Sequence, residues 1–167
     1  STIRDGGRDF TPAEMRIETL TAVASGAKSL QWYPAHGDRG LLAHPVMWNA
    51  VGEMNGVLHQ VLPLTSIGTP IGEPLVERAG ILARTILCGD RAVVVVLVNE
   101  QHSSTRDSFE IMPQTDVGVR VRLPCGFEAA GAAVVGFPGP TEELEVDVNP
   151  STVSFTTGFS AGQIIDD

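Results

Sequence analysis

A chain of 167 residues in which 43% are hydrophobic and 19% charged has the composition of a globular domain and not of a disordered segment. Its formal charge of −9, with only 11 Lys and Arg, excludes a nucleic-acid binder, because gripping phosphates takes clustered cations. No apolar run approaches the roughly 20 residues that span a bilayer.

Helical periodicity dominates the first part of the chain. In "DFTPAEMRIETLTAVASG" Thr11 is placed to cap a helix, Pro12 suits its first position, and Glu14 completes a capping box. Ala13, Ile17, Leu20 and Ala24 recur on one face, and Gly26 is placed to end the helix. "AKSLQWY", residues 27–33, is short and apolar and predicts a buried strand. A polar loop follows, and then a second helix from about Pro45, in which Met47, Val51, Met54, Leu58 and Val61 repeat at steps of three and four. That helix is expected to stop before "PLTSIGTPIGEP", whose Pro and Gly content predicts a linker over 67–79.

From residue 80 onward the pattern is strand after strand. "AGILARTILCGDRAVVVVLVN" predicts two strands joined by a two-residue turn at Gly89-Asp90. The run from Ala92 to Val98 is apolar at every position, so this strand must be central and covered on both faces. In "DVGVRVRLP" Val117, Val119, Val121 and Leu123 are expected inward, and Arg120 and Arg122 outward. "AAGAAVVGF", "ELEVDVN" (Leu144, Val146 and Val148 on one side) and "STVSFTTGF" continue the series. Six to eight short strands without intervening helices predict an antiparallel β-sandwich over 80–167. A single strand between two helices cannot build its own sheet. Residues 1–66 are therefore expected to be the end of an α/β domain that continues upstream, an expectation to which the start at Ser1 instead of Met also points.

This order resembles the C-terminal end of (β/α)8-barrel glycoside hydrolases that carry an accessory sandwich. "TPAEMRIETLTAVASGAKSLQWY" is similar to the last-but-one barrel helix running into the eighth strand, with Gly26-Ala27-Lys28-Ser29 standing where the family pattern ends in glycine. Trp48, Glu53, Asn55 and Leu62-Pro63-Leu64 match the closing barrel helix, and "VVVVLVN", "DVGVRVRLP" and "FSAGQII" resemble strands of the trailing sandwich. The resemblance implies a mainly β chain: a helix-strand-helix remnant of a TIM-type barrel over 1–66, and an antiparallel sandwich over 80–167. It also implies an active site at the C-terminal ends of the barrel strands, with two catalytic carboxylates on the fourth and seventh strands, both upstream of Ser1. No catalytic residue is then expected in this chain. The partners implied are a carbohydrate substrate, bound through the parent barrel, and the rest of the barrel itself.

Substrate contact, on this reading, would fall to groups at the end of the eighth strand and on its loop: Gln31, Trp32, Tyr33 and His36. Strand alternation lets only one of Trp32 and Tyr33 face the barrel mouth, the other packing between strand and helix. His36 can donate to a hydroxyl or titrate near neutrality, or belong to a solvated loop closed by Asp38 and Arg39. Asn99-Glu100 mimics an acid/base motif, but it follows a hairpin turn within a run of strands, so it reads as the start of an exposed loop. Glu53, Asn55 and His59 are explained by the polar face of the second helix. The two cysteines, Cys88 and Cys125, fit no metal-ligand spacing and are expected as free thiols, although a pair is open to them. They leave the compartment undecided, an extracytoplasmic one included. No metal or cofactor is expected.

Two other readings stand beside the hydrolase one. In the first, the chain is a stand-alone sandwich that binds sugar or protein without catalysis. Against sugar binding by the sandwich stands the identity of its aromatics: Phe109, Phe127, Phe137, Phe155 and Phe159, with no Trp or Tyr after residue 80. The second, a small independent enzyme, lacks a Gly-x-Ser-x-Gly elbow, a phosphate loop and a ligand cluster. An exposed half of a barrel edge would promote self-association, so a homo-oligomer is also among the expected states.

Overall fold

The computed structural model describes residues 10–32, 40–129, 131–135, 141–149, 151–159 and 163–166. Helix α1 spans Pro12–Ala24, and a single 3-10 turn at Leu41–Ala43 leads into α2, Pro45–Thr65. Twelve strands follow: β1 (Thr69–Gly72), β2 (Leu75–Val76), β3 (Ile81–Cys88), β4 (Ala92–Asn99), β5 (His102–Ser104), β6 (Phe109–Ile111), β7 (Gln114–Arg122), β8 (Ala133–Val135), β9 (Thr141–Glu143), β10 (Asp147–Asn149), β11 (Thr152–Phe159) and β12 (Gln163–Asp166). They form a six-stranded sheet ordered β1-β3-β4-β12-β8-β9, a four-stranded sheet ordered β10-β11-β7-β2, and the hairpin β5-β6. Every pairing among the described residues is antiparallel. Among the described residues the chain is mainly β, with two α-helices, and the two larger sheets stack as a sandwich.

Strand β4 organises the layers. Val94, Val96 and Val98 pack with Met15, Leu20, Val23, Val51, Met54 and Val61 of the helices. The alternate residues Val93, Val95 and Leu97 pack with Val117, Val119, Val121, Val153 and Phe155 of the second sheet. The expected two-sided burial is what the strand has: residues 93 to 98 are all at most 2% exposed. Each such side chain contributes on the order of 1.5–3 kcal/mol of burial. The helices thus form a third layer on the outer face of the six-stranded sheet.

Both ends of α1 follow their sequence signals. Thr11 and Glu14 form the reciprocal capping box, and Gly26, at φ +90°, ends α1. The Gly26 N–H donates to Val23 O and the Ala27 N–H to Ala22 O, the two bonds of a Schellman cap. The buried stripe of α1 is Met15, Thr19, Leu20, Val23 and Ala24, rotated from the expected one, with Ile17 half-buried at its edge. Helix α2 runs three residues past its expected end, through Pro63. There the Lys28 ammonium donates to the carbonyls of Thr65, at 2.8 Å, and Gly68, covering the negative end of the helix.

Several expectations are corrected. The strand over 27–33 does not form across its described part, 27–32, because no neighbouring strand among the described residues offers it a ladder. The stretch 67–79 carries a strand for each sheet, β1 pairing with β3 and β2 with β7. The β3-β4 connection has three residues, Gly89–Arg91, with Gly89 at φ +70°. "ELEVDVN" is split: β9 ends at Glu143 in one sheet and β10 starts at Asp147 in the other, with Leu144 and Val146 packing on the inter-sheet core as the chain crosses. Cys88 is buried, Cys125 exposed, and both are free.

Gly68 is where α2 hands the chain to the sheet. A Cβ there would fall 2.5 Å from Ile86 Cγ2 and 3.0 Å from Cys88 Sγ. Gly68→Ala is therefore expected to cost about 1–3 kcal/mol through overpacking, read as a lower urea midpoint with an unchanged m-value.

Candidate functional site

Where α1, the start of α2 and residues 30–32 meet, they enclose a cleft of about 210 Å³, lined by Phe10, Met15, Glu18, Leu30, Trp32 and Met47 among others. Its walls come from local alternation. Leu30 and Trp32 pack against the helix cluster, while Gln31 between them is exposed, as expected of an extended chain with one face on a core. The Trp32 indole N–H donates to Asn55 Oδ1 at 3.2 Å, fixing the ring against α2. Gln31 also lines the cleft.

The frame is held by a second polar link. Arg16 on α1 pairs with Glu53 on α2 at 3.2 Å. Burial pulls the Arg16 guanidinium below its ordinary range, and the Glu53 carboxylate opposes that pull. Arginine nonetheless stays a cation at any physiological pH. Glu53 and Asn55, expected as plain polar-face residues, are thus the two points at which α2 grips α1 and residue 32. Their signal was present in sequence only as spacing: two residues apart, and so about 200° round the helix, they flank the buried Met54 on opposite sides, one facing α1 and the other residue 32.

Of the residues singled out for substrate contact, Gln31 and Trp32 come together at this cleft; Tyr33 and His36 lie outside the described residues, as do Asp38 and Arg39. The cleft offers one carboxylate, Glu18, among its described lining residues, whereas glycoside hydrolysis uses two. Asn99 is wholly buried and structural: its Nδ2 donates to Met112 O at 2.8 Å and its Oδ1 accepts from the Gln101 N–H at 3.0 Å. The Glu100 side chain is exposed on the following loop. His59 is exposed on α2, and His44 stands at the start of that helix. No group of three or more His, Cys, Asp or Glu among the described residues is placed to hold a metal. Among the described residues, no helix is long and apolar enough to cross a membrane.

No protein-family model matches this sequence, and neither does any curated protein. Solved structures do match in fold. A cycloisomaltooligosaccharide glucanotransferase from a Paenibacillus species, complexed with cycloisomaltoheptaose, superposes with a TM-score of 0.65 at 12% identity. The match covers 95% of this chain and 27% of that one, so the chain spans about a quarter of the enzyme's length. An alpha-L-fucosidase isoenzyme 2 from Paenibacillus thiaminolyticus gives a TM-score of 0.45 at 13% identity, over 75% of this chain and 18% of the other. The glucanotransferase is a carbohydrate-active enzyme by name, and at 12% identity its likeness to this chain is one of fold.

The Trp32–Asn55 bond is open to a direct test. Asn55→Ala, made in a Trp48→Phe background so that Trp32 alone reports, is expected to cost about 1 kcal/mol. It should also red-shift the emission of Trp32 as the ring loosens into water.

Proposed function

We propose that this chain is the C-terminal portion of a carbohydrate-active enzyme of the glycoside hydrolase type. Residues 1–66 close a (β/α)8 barrel, and the strands from β1 onward form a sandwich that braces it. The catalytic carboxylates lie upstream, and this chain supplies a wall of the site. Gln31, Trp32, Tyr33 and His36 contact substrate. Asn55 holds the Trp32 ring in place in advance, which spares the ordering cost on binding.

The observation that carries this reading is the fold shared over nearly the whole chain, helices and sandwich together, with a quarter-length stretch of a glucanotransferase. Two features of the chain agree with it. Residues 27–32 lie beside the helices without a strand partner among the described residues. Leu42, Val46 and Trp48, at 50, 68 and 48% exposed, leave apolar surface around the start of α2 of the kind that a neighbouring part of a protein covers.

The purified 167-residue chain is expected to release no sugar from dextran, soluble starch or nitrophenyl glycosides. An antibody raised to the sandwich is expected to detect, in the source cells, a protein several times larger than 17.7 kDa. Glycosidase turnover by the isolated chain, or a native product of 17.7 kDa, would overturn the proposal.

A further inference from the structure

The outer face of the four-stranded sheet carries a second set of uncommitted polar groups, far in sequence from the Trp32 cleft. Because Val117, Val119 and Val121 point into the sandwich, Gly118, Arg120 and Arg122 point out of it. The strand register then lays out three rows. Leu75, Arg120, Ser154 and Asp147 are successive cross-strand partners. Arg122 pairs with Thr152 and then Asn149 on one side of that row, and Gly118 with Thr156 on the other.

Gly118 has a specific use. The Glu77 N–H donates to Gly118 O at 3.0 Å, and the Glu77 carboxylate lies where a side chain at 118 would stand. The missing Cβ lets that carboxylate settle on the sheet beside Arg120. A cleft of about 240 Å³ opens there, lined by Glu77, Arg120, Asp147, Ser154 and Thr156. It adjoins a larger one of about 720 Å³ between the edges of the two sheets, to which Ile71, Leu87, Arg122 and Thr152 contribute. Leu75 and Arg120 line both, so the two clefts form one groove along β2.

The chemistry of the groove is selective. Among the described residues, the side chains of Glu77, Arg120, Arg122, Asp147, Ser154 and Thr156 make no hydrogen bond or ion pair within the protein. Two guanidinium groups balance two carboxylates, and the nearby Glu73 is already neutralised by Arg84. A balanced set attracts neither a polyanion nor a cation. What it matches is a neutral ligand that donates and accepts at many points, since carboxylates only accept, guanidinium groups only donate and hydroxyls do both. Leu75 and Ile71, 60 and 45% exposed, add an aliphatic wall for the C–H faces of such a ligand. We propose that this groove is a carbohydrate-binding site for a neutral polysaccharide segment, separate from the Trp32 cleft and using aliphatic side chains where surface sugar sites often use aromatics.

Affinity electrophoresis of the 167-residue chain tests the site, in native gels cast with dextran, soluble starch, arabinoxylan, galactomannan or, as an anionic control, dextran sulfate. At least one neutral polymer is expected to retard the chain. Arg120→Ala is expected to weaken that retardation about tenfold in apparent Kd, as loss of a charged hydrogen-bond donor does, and Ser154→Ala to weaken it less. Both positions are on the outer face of the sheet, and an unchanged melting temperature would show that the fold is retained. Absence of retardation in every neutral gel would overturn the site, as would retardation by dextran sulfate alone. If Trp32→Ala abolished retardation while Arg120→Ala left it intact, the ligand would sit at the helix cleft. The groove proposal would then fail while the enzyme reading stood.

Discussion

A strand with no polar face has to be covered twice, and the rest of this molecule is arranged around that requirement. From Val93 to Val98, β4 presents valine or leucine to both sides of its sheet. One side is met by the four-stranded sheet and the other by the two helices. Without the helices, the face bearing Val94, Val96 and Val98 would lie open to water, and a patch of that kind drives association. The helices are therefore part of the sandwich's core as well as candidate parts of a neighbouring domain.

That dual role shapes the candidate site. Because α1 and α2 are pinned to the sheet, the extended residues that follow α1 are held in a fixed place, with Leu30 and Trp32 turned toward the helices and Gln31 away from them. Arg16 with Glu53, Trp32 with Asn55, and Lys28 with the last carbonyls of α2 are the polar ties at its borders. Each joins residues more than twenty positions apart, so the cleft keeps its shape only while both helices stay docked. The sandwich behind it carries a polar outer face of its own, where a glycine in β7 makes room for a carboxylate from beyond the neighbouring strand.

Much of the fold is legible in the residue pattern. The Thr11–Glu14 box, the glycine at 26 and the alternation in β7 rest on interactions between residues close in the chain, and each appears where its signal lies. The two-sided strand is legible because only burial on both faces tolerates a run without polar residues. Segments 27–33 and 67–79 are misread for the opposite reason. Apolar residues at 30 and 32 are compatible with a strand, but a strand exists only as a pair. A Pro- and Gly-rich stretch reads as a linker until another strand's edge comes near enough to bond to it, as β3 and β7 do here.

The sequence by itself determined part of the local grammar: where α1 begins and ends, how β7 alternates, which strand is central, and that two thiols have no metal-binding spacing. Those features are set by steric preferences and hydrogen bonds a few residues long, or by an apolar count that needs no partner to interpret. Only the tertiary structure decided which partners long-range groups take. It placed Asn55 against Trp32, Lys28 under the end of α2, and Arg120 between Leu75 and Ser154. A side chain's chemistry is written in its identity, but its neighbours depend on how whole layers pack, and no short stretch of the chain carries that information.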